Sequence, residues 1–338
     1  MSATAANGDA ITVLGGGSFG TTLAVMMAER GVEVTQWVRD PQLAGIMRDR
    51  RENTKYLPGV KLPLKIWITD NLGEAATRNH VVLAVVPSQA MRGLAKDLAP
   101  HLKGRDSVVV SLAKGLEFRD DGSVVRMSEM LEQVLGPTVK VAAMSGPNLS
   151  HEIVAKNPSA TVVASKHKDA LAAVKRLVEV PWFKVLPASD VAGVELGGVL
   201  KNIVAIAAGM SDGLGFGRNT KSAIITLGIT EMWGFGKLFG AKKETFWGLA
   251  GLGDVIATCH SRKSRNHYVG EQLARGERLD QVMSGLGGEV AEGVTTTKHV
   301  FEYARRHQLQ MPLTQQVYEI LYEDKMVPQA VEALLKFI

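Results

Sequence analysis

With 338 residues, 46% of them hydrophobic and 22% charged, the chain has length for two domains and apolar residues enough to bury a core in each, which excludes a disordered or fibrous protein. A single cysteine, Cys259, excludes an intrachain disulfide and a cysteine-built metal centre, and fits a reducing compartment. The formal net charge of +5 is either ordinary surface charge or a local positive field that draws anionic ligands.

The opening MSATAANGD lacks a basic stretch followed by an apolar one, so no secretory signal is expected. Residues 1–9 read as a flexible tail. Apolar, partly β-branched runs then predict strands at Ile11–Leu14, Val34–Val38, His80–Val86, Ser107–Leu112, Val139–Met144, Ala160–Ala164 and Phe183–Leu186. Helical patterns lie between several of them, at Thr21–Arg30, Gln89–Ala99 and Val124–Val134. This alternation predicts an α/β fold whose first half is a doubly wound, Rossmann-like, mainly parallel sheet. After Pro187 only helical patterns follow, at Val191–Met210, Lys221–Phe239, Tyr268–Arg275, Thr295–His307 and Thr314–Tyr322. The expected division is a tail over 1–9, a dinucleotide-binding domain over 10–188 and an all-helical substrate-binding domain over 189–338. The longest apolar run, Val199–Met210, is broken by Lys201 and Asn202 and falls short of the roughly 18 residues of a membrane span. A cytoplasmic protein without integral membrane association is expected.

The first chemical signal is ITVLGGGSFGTTLAVMMAERG. Gly15, Gly17 and Gly20 follow a strand and open directly into a helix. That spacing gives a tight turn, close backbone approach to a pyrophosphate and close helix–strand packing, with the helix N-terminus turned to the phosphates. A merely structural turn is the alternative. The next strand ends in Arg39-Asp40. An arginine there suits the 2′-phosphate of NADP, and an acidic residue the ribose hydroxyls of NAD. The pattern favours NADP(H) and leaves NAD(H) open. Ligands of such sheets lie beyond the carboxyl ends of the strands. Three loops there carry suitable groups: Val85-Val86-Pro87-Ser88, Ser111-Leu112-Ala113-Lys114-Gly115 and Ser145-Gly146-Pro147-Asn148.

In the helical half, the segment Val191–Met210 is apolar nearly all round, the mark of a buried helix, yet holds Lys201 at its centre. An unpaired buried ammonium is costly, so this lysine is expected to be paired, shifted in pKa or aimed at a ligand. Gly197, Gly198, Val204 and Ala205 beside it are expected to leave room for something other than protein. The plainer alternative is a structural ion pair with Glu195 or Asp212. Gly248–Asp254 reads as a glycine-rich approach that positions one carboxylate. The run Thr258–Asn266 gathers Arg262, Lys263 and Arg265, and arginine matches phosphate geometry. Only Tyr268 could offer base stacking, so no nucleic-acid partner is expected. Cys259-His260 and His151-Glu152 lack partners at metal-ligand spacing, so no metal is expected.

These stretches resemble the NAD(P)-dependent sn-glycerol-3-phosphate dehydrogenases of bacterial type. The resemblance runs from Ile11 to about Ala333 through GGGSFGTTLA, AVVPSQ, LAKGLE, SGPN, GVELGGVLKNIVAIAAGMSDGLGFGRNT, GLAGLGD, SRN and VAEG. It implies hydride transfer between a nicotinamide and dihydroxyacetone phosphate, supplying glycerophospholipid synthesis, by a cytoplasmic homodimer. Lys201 resembles the family's general acid/base and Asp254 its carboxylate partner. Lys114, Gly146 and Asn148 resemble substrate contacts, and Ser264, Arg265 and Asn266 the residues that grip the phosphate. Ser18, Phe19, Arg39, Lys114, Ser150, Arg265, Val290 and Glu292 correspond to cofactor contacts. Leu149 and Ser150 depart from the phenylalanine and alanine of many bacterial members, and Asn148 from their serine or threonine. Lys114 is expected to be the second cation that lowers the Lys201 pKa. The rival expectations are a dehydrogenase of a carboxylate-bearing hydroxy acid or ketopantoate, and a non-enzymatic NAD(P)H sensor.

Overall fold

The computed structural model describes residues 8–286, 290–334 and 336; of the expected tail, 1–7 lie outside the described residues. The chain forms two compact units. The first comprises the residues up to Ala113 together with Arg126–Val191, and the second Lys114–Val125 with Ala192 onward. The division drawn at residue 188 differs from this by a short excursion, residues 114–125, which leaves the first unit for the second.

In chain order the strands are β1 (Ala10–Leu14), β2 (Glu33–Trp37), β3 (Glu52–Asn53), β4 (Leu57–Lys61), β5 (Ile66–Thr69), β6 (Val81–Ala84) and β7 (Ser107–Ser111). They continue with β8 (Leu116–Phe118), β9 (Val124–Arg126), β10 (Val139–Ser145), β11 (Ser159–Ser165) and β12 (Phe183–Ala188). Eight of them form one sheet in the order β12-β11-β10-β7-β6-β1-β2-β5, while β3–β4 and β8–β9 are small ribbons. Only the β10–β11 pairing of the sheet is antiparallel. All seven expected sheet strands are present. The eighth, β5, is a four-residue edge strand, too short to announce itself by periodicity. Strands β6 and β7 are buried along their whole length, as a parallel sheet covered by helices on both faces requires. The chain runs outward from β1 through β2 to β5, then returns to β6 on the other side. The strand order therefore reverses at β1, where open α/β sheets bind their ligands.

The helices of the first unit are α1 (Ser18–Glu29), α2 (Pro41–Arg50), α3 (Leu72–Arg78), α4 (Ser88–Leu102), α5 (Met127–Leu135), α6 (Ser150–Val154) and α7 (Lys168–Val178). Leu23 and Met27 of α1 bury against Val34, Leu83 and Val110 in one apolar core. The helix expected over Val124–Val134 is corrected at its start. Gly122, at φ 80°, turns the chain so that Val124–Arg126 pairs as β9, and α5 begins only at Met127.

Among the described residues, the second unit holds the ribbon β8–β9 and helices α8 (Val191–Gly213), α9 (Arg218–Lys237), α10 (Lys243–Trp247) and α11 (Asp254–His260). It continues with α12 (Arg265–Ala274), α13 (Leu279–Gly285), α14 (Glu292–Arg306), α15 (Pro312–Tyr322) and α16 (Val327–Leu334). A π-helical turn, Leu249–Gly253, leads into α11. By length and composition α8 could cross a membrane, with a mean hydropathy of 1.6, but 94% of that window is buried. It is the central helix of the unit's core, with Val199, Ile203 and Ile206 packed among residues of α9, α11, α12, α14 and α15.

Candidate active site

In the first unit, the glycine turn occupies the point where the strand order reverses. Gly15 has φ 141°, and a Cβ there would stand 2.3 Å from Val85 O. A Cβ on Gly20 would stand 2.5 Å from Gly15 O, so the first turn of α1 packs directly on the end of β1. A Cβ on Gly17 would meet nothing within 4 Å. Gly17 caps α1 without any side-chain hydrogen bond, so the N–H groups opening that helix are left to a ligand. Open space over Gly17 and an uncapped N-terminus beside Ser18 and Phe19 fit a dinucleotide pyrophosphate. At the end of β2 the Asp40 carboxylate accepts from Gln42 N (3.0 Å) and Leu43 N (3.3 Å), capping α2. Arg39 is exposed. Of the two residues weighed for the ribose edge, the acidic one thus already has a helix to cap.

The Ser145–Ser150 turn leaves the carboxyl end of β10. Asn148 Nδ2 donates to Thr161 Oγ1 at 2.9 Å, while its Oδ1 is buried with no hydrogen-bond partner. Asn148, expected as a substrate contact, thus already spends one amide N–H on Thr161 of β11. Ser150 is the first residue of α6.

The second unit assembles the charged cluster. Gly197 and Lys201 lie four residues apart on one face of α8. A Cβ on Gly197 would stand 2.3 Å from Ala250 O, so the π-helical turn lies backbone-to-backbone on α8. This corrects the expectation of free room beside Gly197: protein backbone fills it. The same contact sets Asp254, the residue that follows the turn, over Lys201. Both side chains are almost wholly buried, at 2% and 8% exposure. Lys201 Nζ donates to Asp254 Oδ1 and, at 2.7 Å, to Thr258 Oγ1. The other carboxylate oxygen, Oδ2, accepts from Lys114 Nζ at 2.7 Å. Thr258 in turn donates to Asp254 O at 2.6 Å.

One carboxylate therefore bridges the amino groups of two lysines. Burial pulls the Lys201 pKa down to about 7; Asp254 opposes the shift, and Lys114 adds to it as a like charge. Asp212, weighed as a structural partner for Lys201, is engaged elsewhere, with Lys221 at 2.7 Å and His267 at 2.8 Å. Cys259 is fully buried beside the cluster, and burial pushes its thiol up to about 12, which leaves it unreactive.

Ser264, Arg265 and Asn266 open α12. The Ser264 hydroxyl accepts from His267 N at 3.3 Å as the helix cap. Asn266 is buried, and its Oδ1 accepts from Gly293 N at 3.0 Å, tying α12 to the start of α14 beside Glu292. Arg265 is exposed, with Arg262, Lys263 and Tyr268, around an open depression of about 260 Å³. Val290 is 39% exposed. Among the described residues no three His, Cys, Asp or Glu side chains gather as a metal site.

The family model for the N-terminus of NAD-dependent glycerol-3-phosphate dehydrogenase matches residues 10–171, and that for the C-terminus residues 190–332. A glycerol-3-phosphate dehydrogenase, NAD(P)+, from Geobacter metallireducens is 43% identical over 330 residues, which is 97% of each chain. The chain belongs to this family. A family member from Corynebacterium glutamicum is 40% identical over 96% of this chain and 97% of its own. The crystal structure of glycerol-3-phosphate dehydrogenase from Coxiella burnetii superimposes with a TM-score of 0.90 at 35% identity, covering 97% of this chain and 99% of that one.

For this glycerol-3-phosphate dehydrogenase fold, the structure brings Lys114, Lys201 and Asp254 into direct contact, although 140 residues separate the first from the last. Thr258, named in the sequence only as the start of the basic run, proves to be a partner of Lys201. The available signal was its spacing from Asp254: residues four apart on a helix share a face, and α11 begins at Asp254.

Proposed function

We propose that the chain reduces dihydroxyacetone phosphate to sn-glycerol 3-phosphate, reversibly, with NADPH preferred over NADH, and so supplies glycerophospholipid synthesis. The observation that carries this reading is the contact of the buried Lys201 and Asp254 with Lys114 in a chain of this family. A nicotinamide dinucleotide held by its pyrophosphate at the glycine turn would supply the hydride for the C2 carbonyl. The carbonyl oxygen, becoming an alkoxide, takes a proton from Lys201 Nζ. With its pKa near 7, Lys201 is poised to give that proton in reduction and take it back in oxidation. Two of its three N–H donors are held by Asp254 and Thr258, which fixes the direction of the third. Lys114 keeps the ammonium acidic, while Arg265 and the Nδ2 of Asn266 hold the substrate phosphate and so fix the carbonyl for attack. Gly146, Asn148 and Ser150 complete the ligand contacts of the first unit, and Val290 and Glu292 those of the second. Arg39, exposed where Asp40 is committed to α2, supports the preference for a 2′-phosphate.

The remaining parts of this reading are a homodimer in the cytoplasm. They rest on the family resemblance and on a sole cysteine that is buried and unreactive. The test is nicotinamide oxidation by purified protein, with NADPH and NADH in turn. Dihydroxyacetone phosphate should support oxidation and its phosphate-free analogue dihydroxyacetone should not. Turnover of a hydroxy-acid or ketopantoate couple in place of dihydroxyacetone phosphate would overturn the substrate assignment. A kcat/KM ratio that favours NADH would overturn the role given to Arg39.

A further inference from the structure

Two buried side-chain amides hold the glycine turn from its inner side. Gln36, in β2, donates from Nε2 to Gly15 O and to Thr21 Oγ1, both at 3.1 Å. Asn53, in the ribbon strand β3, donates from Nδ2 to Gly16 O and to the same Thr21 Oγ1, both at 2.8 Å. Both side chains are fully buried, at 0% exposure. Neither amide can be turned round, because a backbone carbonyl only accepts and the NH₂ end must face it. Asn53 is fixed at its other end too, where Oδ1 accepts from Tyr56 N at 3.1 Å.

In a trans peptide the C=O of one residue and the N–H of the next point to opposite sides of the chain. Drawing Gly15 O and Gly16 O inward therefore turns the N–H groups of Gly16 and Gly17 outward. Those two residues are partly exposed and adjoin the uncapped start of α1. We propose that Gln36 and Asn53 are positioning residues for the cofactor: they set the peptide planes of the glycine turn so that the N–H groups of Gly16 and Gly17 face the pyrophosphate. The inference rests on the reading above that this turn binds a nicotinamide dinucleotide.

Two further features argue against simple packing. Gln36 Oε1 is buried with no partner, a defect that an apolar side chain of similar size would not carry. The chain also makes an excursion between α2 and β5 that delivers Asn53. Arg51, in the left-handed conformation at φ 51°, closes that excursion by donating to Leu62 O at 3.3 Å, Ile66 O at 3.1 Å and Pro63 O. A guanidinium spent on three carbonyls holds β3 in register beneath the turn.

The test uses the full-length protein and the variants Gln36→Met and Asn53→Ala. NADPH affinity is read by fluorescence titration. Affinity for adenosine 2′-phosphate, which has the adenine and 2′-phosphate ends but no pyrophosphate, is read by competition. Each variant should weaken NADPH binding about tenfold or more. Binding of adenosine 2′-phosphate should stay close to wild type, and kcat at saturating NADPH should change less than the NADPH KM. Gln36→Met also removes the orphaned acceptor, so it gives a folded variant if Asn53→Ala is too unstable to assay. Unchanged NADPH affinity in both variants would overturn the inference. So would an equal loss for both ligands, the signature of general loosening. Wild-type protein that fails to bind NADPH would instead overturn the dinucleotide reading itself, and this inference with it.

Discussion

In the first unit the groups left for a ligand are backbone: uncapped N–H groups at the start of α1, with glycines where any side chain would collide or intrude. The second unit instead gathers titratable side chains, two lysine amino groups bridged by one carboxylate and drawn from Lys114, α8 and α11. Backbone groups are fixed by the fold and carry no titratable proton, so they suit binding. A buried lysine near neutrality suits proton transfer, but it must be charged, shielded and aimed by others. Damage to the two units should therefore appear in different measurements. Changes in the first unit should alter affinity for the cofactor, and changes in the charged cluster should alter turnover.

The largest break should come from Lys201→Ala. Loss of a general acid is expected to lower kcat by about 10²–10⁴-fold, while NADPH affinity, measured by fluorescence, holds. Near-normal turnover would remove Lys201 from the chemistry. Asp254→Asn should come next, because it removes the carboxylate that the buried Lys201 ammonium and the partly exposed Lys114 share. A stability loss of about 3–5 kcal/mol in chemical denaturation, together with lower kcat, is expected. A variant as stable as wild type would show that the carboxylate is not the cluster's keystone. Arg265→Ala should raise the KM for dihydroxyacetone phosphate by about ten- to a hundredfold; an unchanged KM would take Arg265 out of the phosphate site. The smallest effect is expected at Lys114. Lys114→Met removes a like charge that helps lower the Lys201 pKa, so the alkaline limb of the kcat profile should move to higher pH. A shift to lower pH would contradict the electrostatic role given to Lys114.

The first unit was the more legible in sequence because its signals are local. Strand, glycine turn and helix follow one another within Ala10–Glu29, and sheet strands buried on both faces show as unbroken apolar runs. The charged cluster was half legible. A lysine inside an apolar helix betrayed Lys201, and the glycine-rich approach pointed to Asp254. Their contact depends on a π-helical turn lying on Gly197, and nothing in the spacing of residues 197 and 254 encodes that. Gly197 looked like vacant room for the same reason: a missing Cβ makes space equally for a ligand or for another backbone. Gln36 and Asn53 escaped notice because an amide between apolar neighbours, or in a polar loop, has no periodic signature. Strand β9, Val124–Arg126, reads as helix in sequence because the run VVRM fits both periods, and only the turn at Gly122 decides between them.

Whether Lys201 is the proton donor can be read from the pH dependence of kcat for dihydroxyacetone phosphate reduction at saturating NADPH. Reduction needs the ammonium form, so kcat should fall as pH rises through about 7, where burial has brought the Lys201 pKa. The reverse oxidation needs the free amine and should rise through the same region. A reduction rate that stays flat well into the alkaline range would contradict the account and require a different acid.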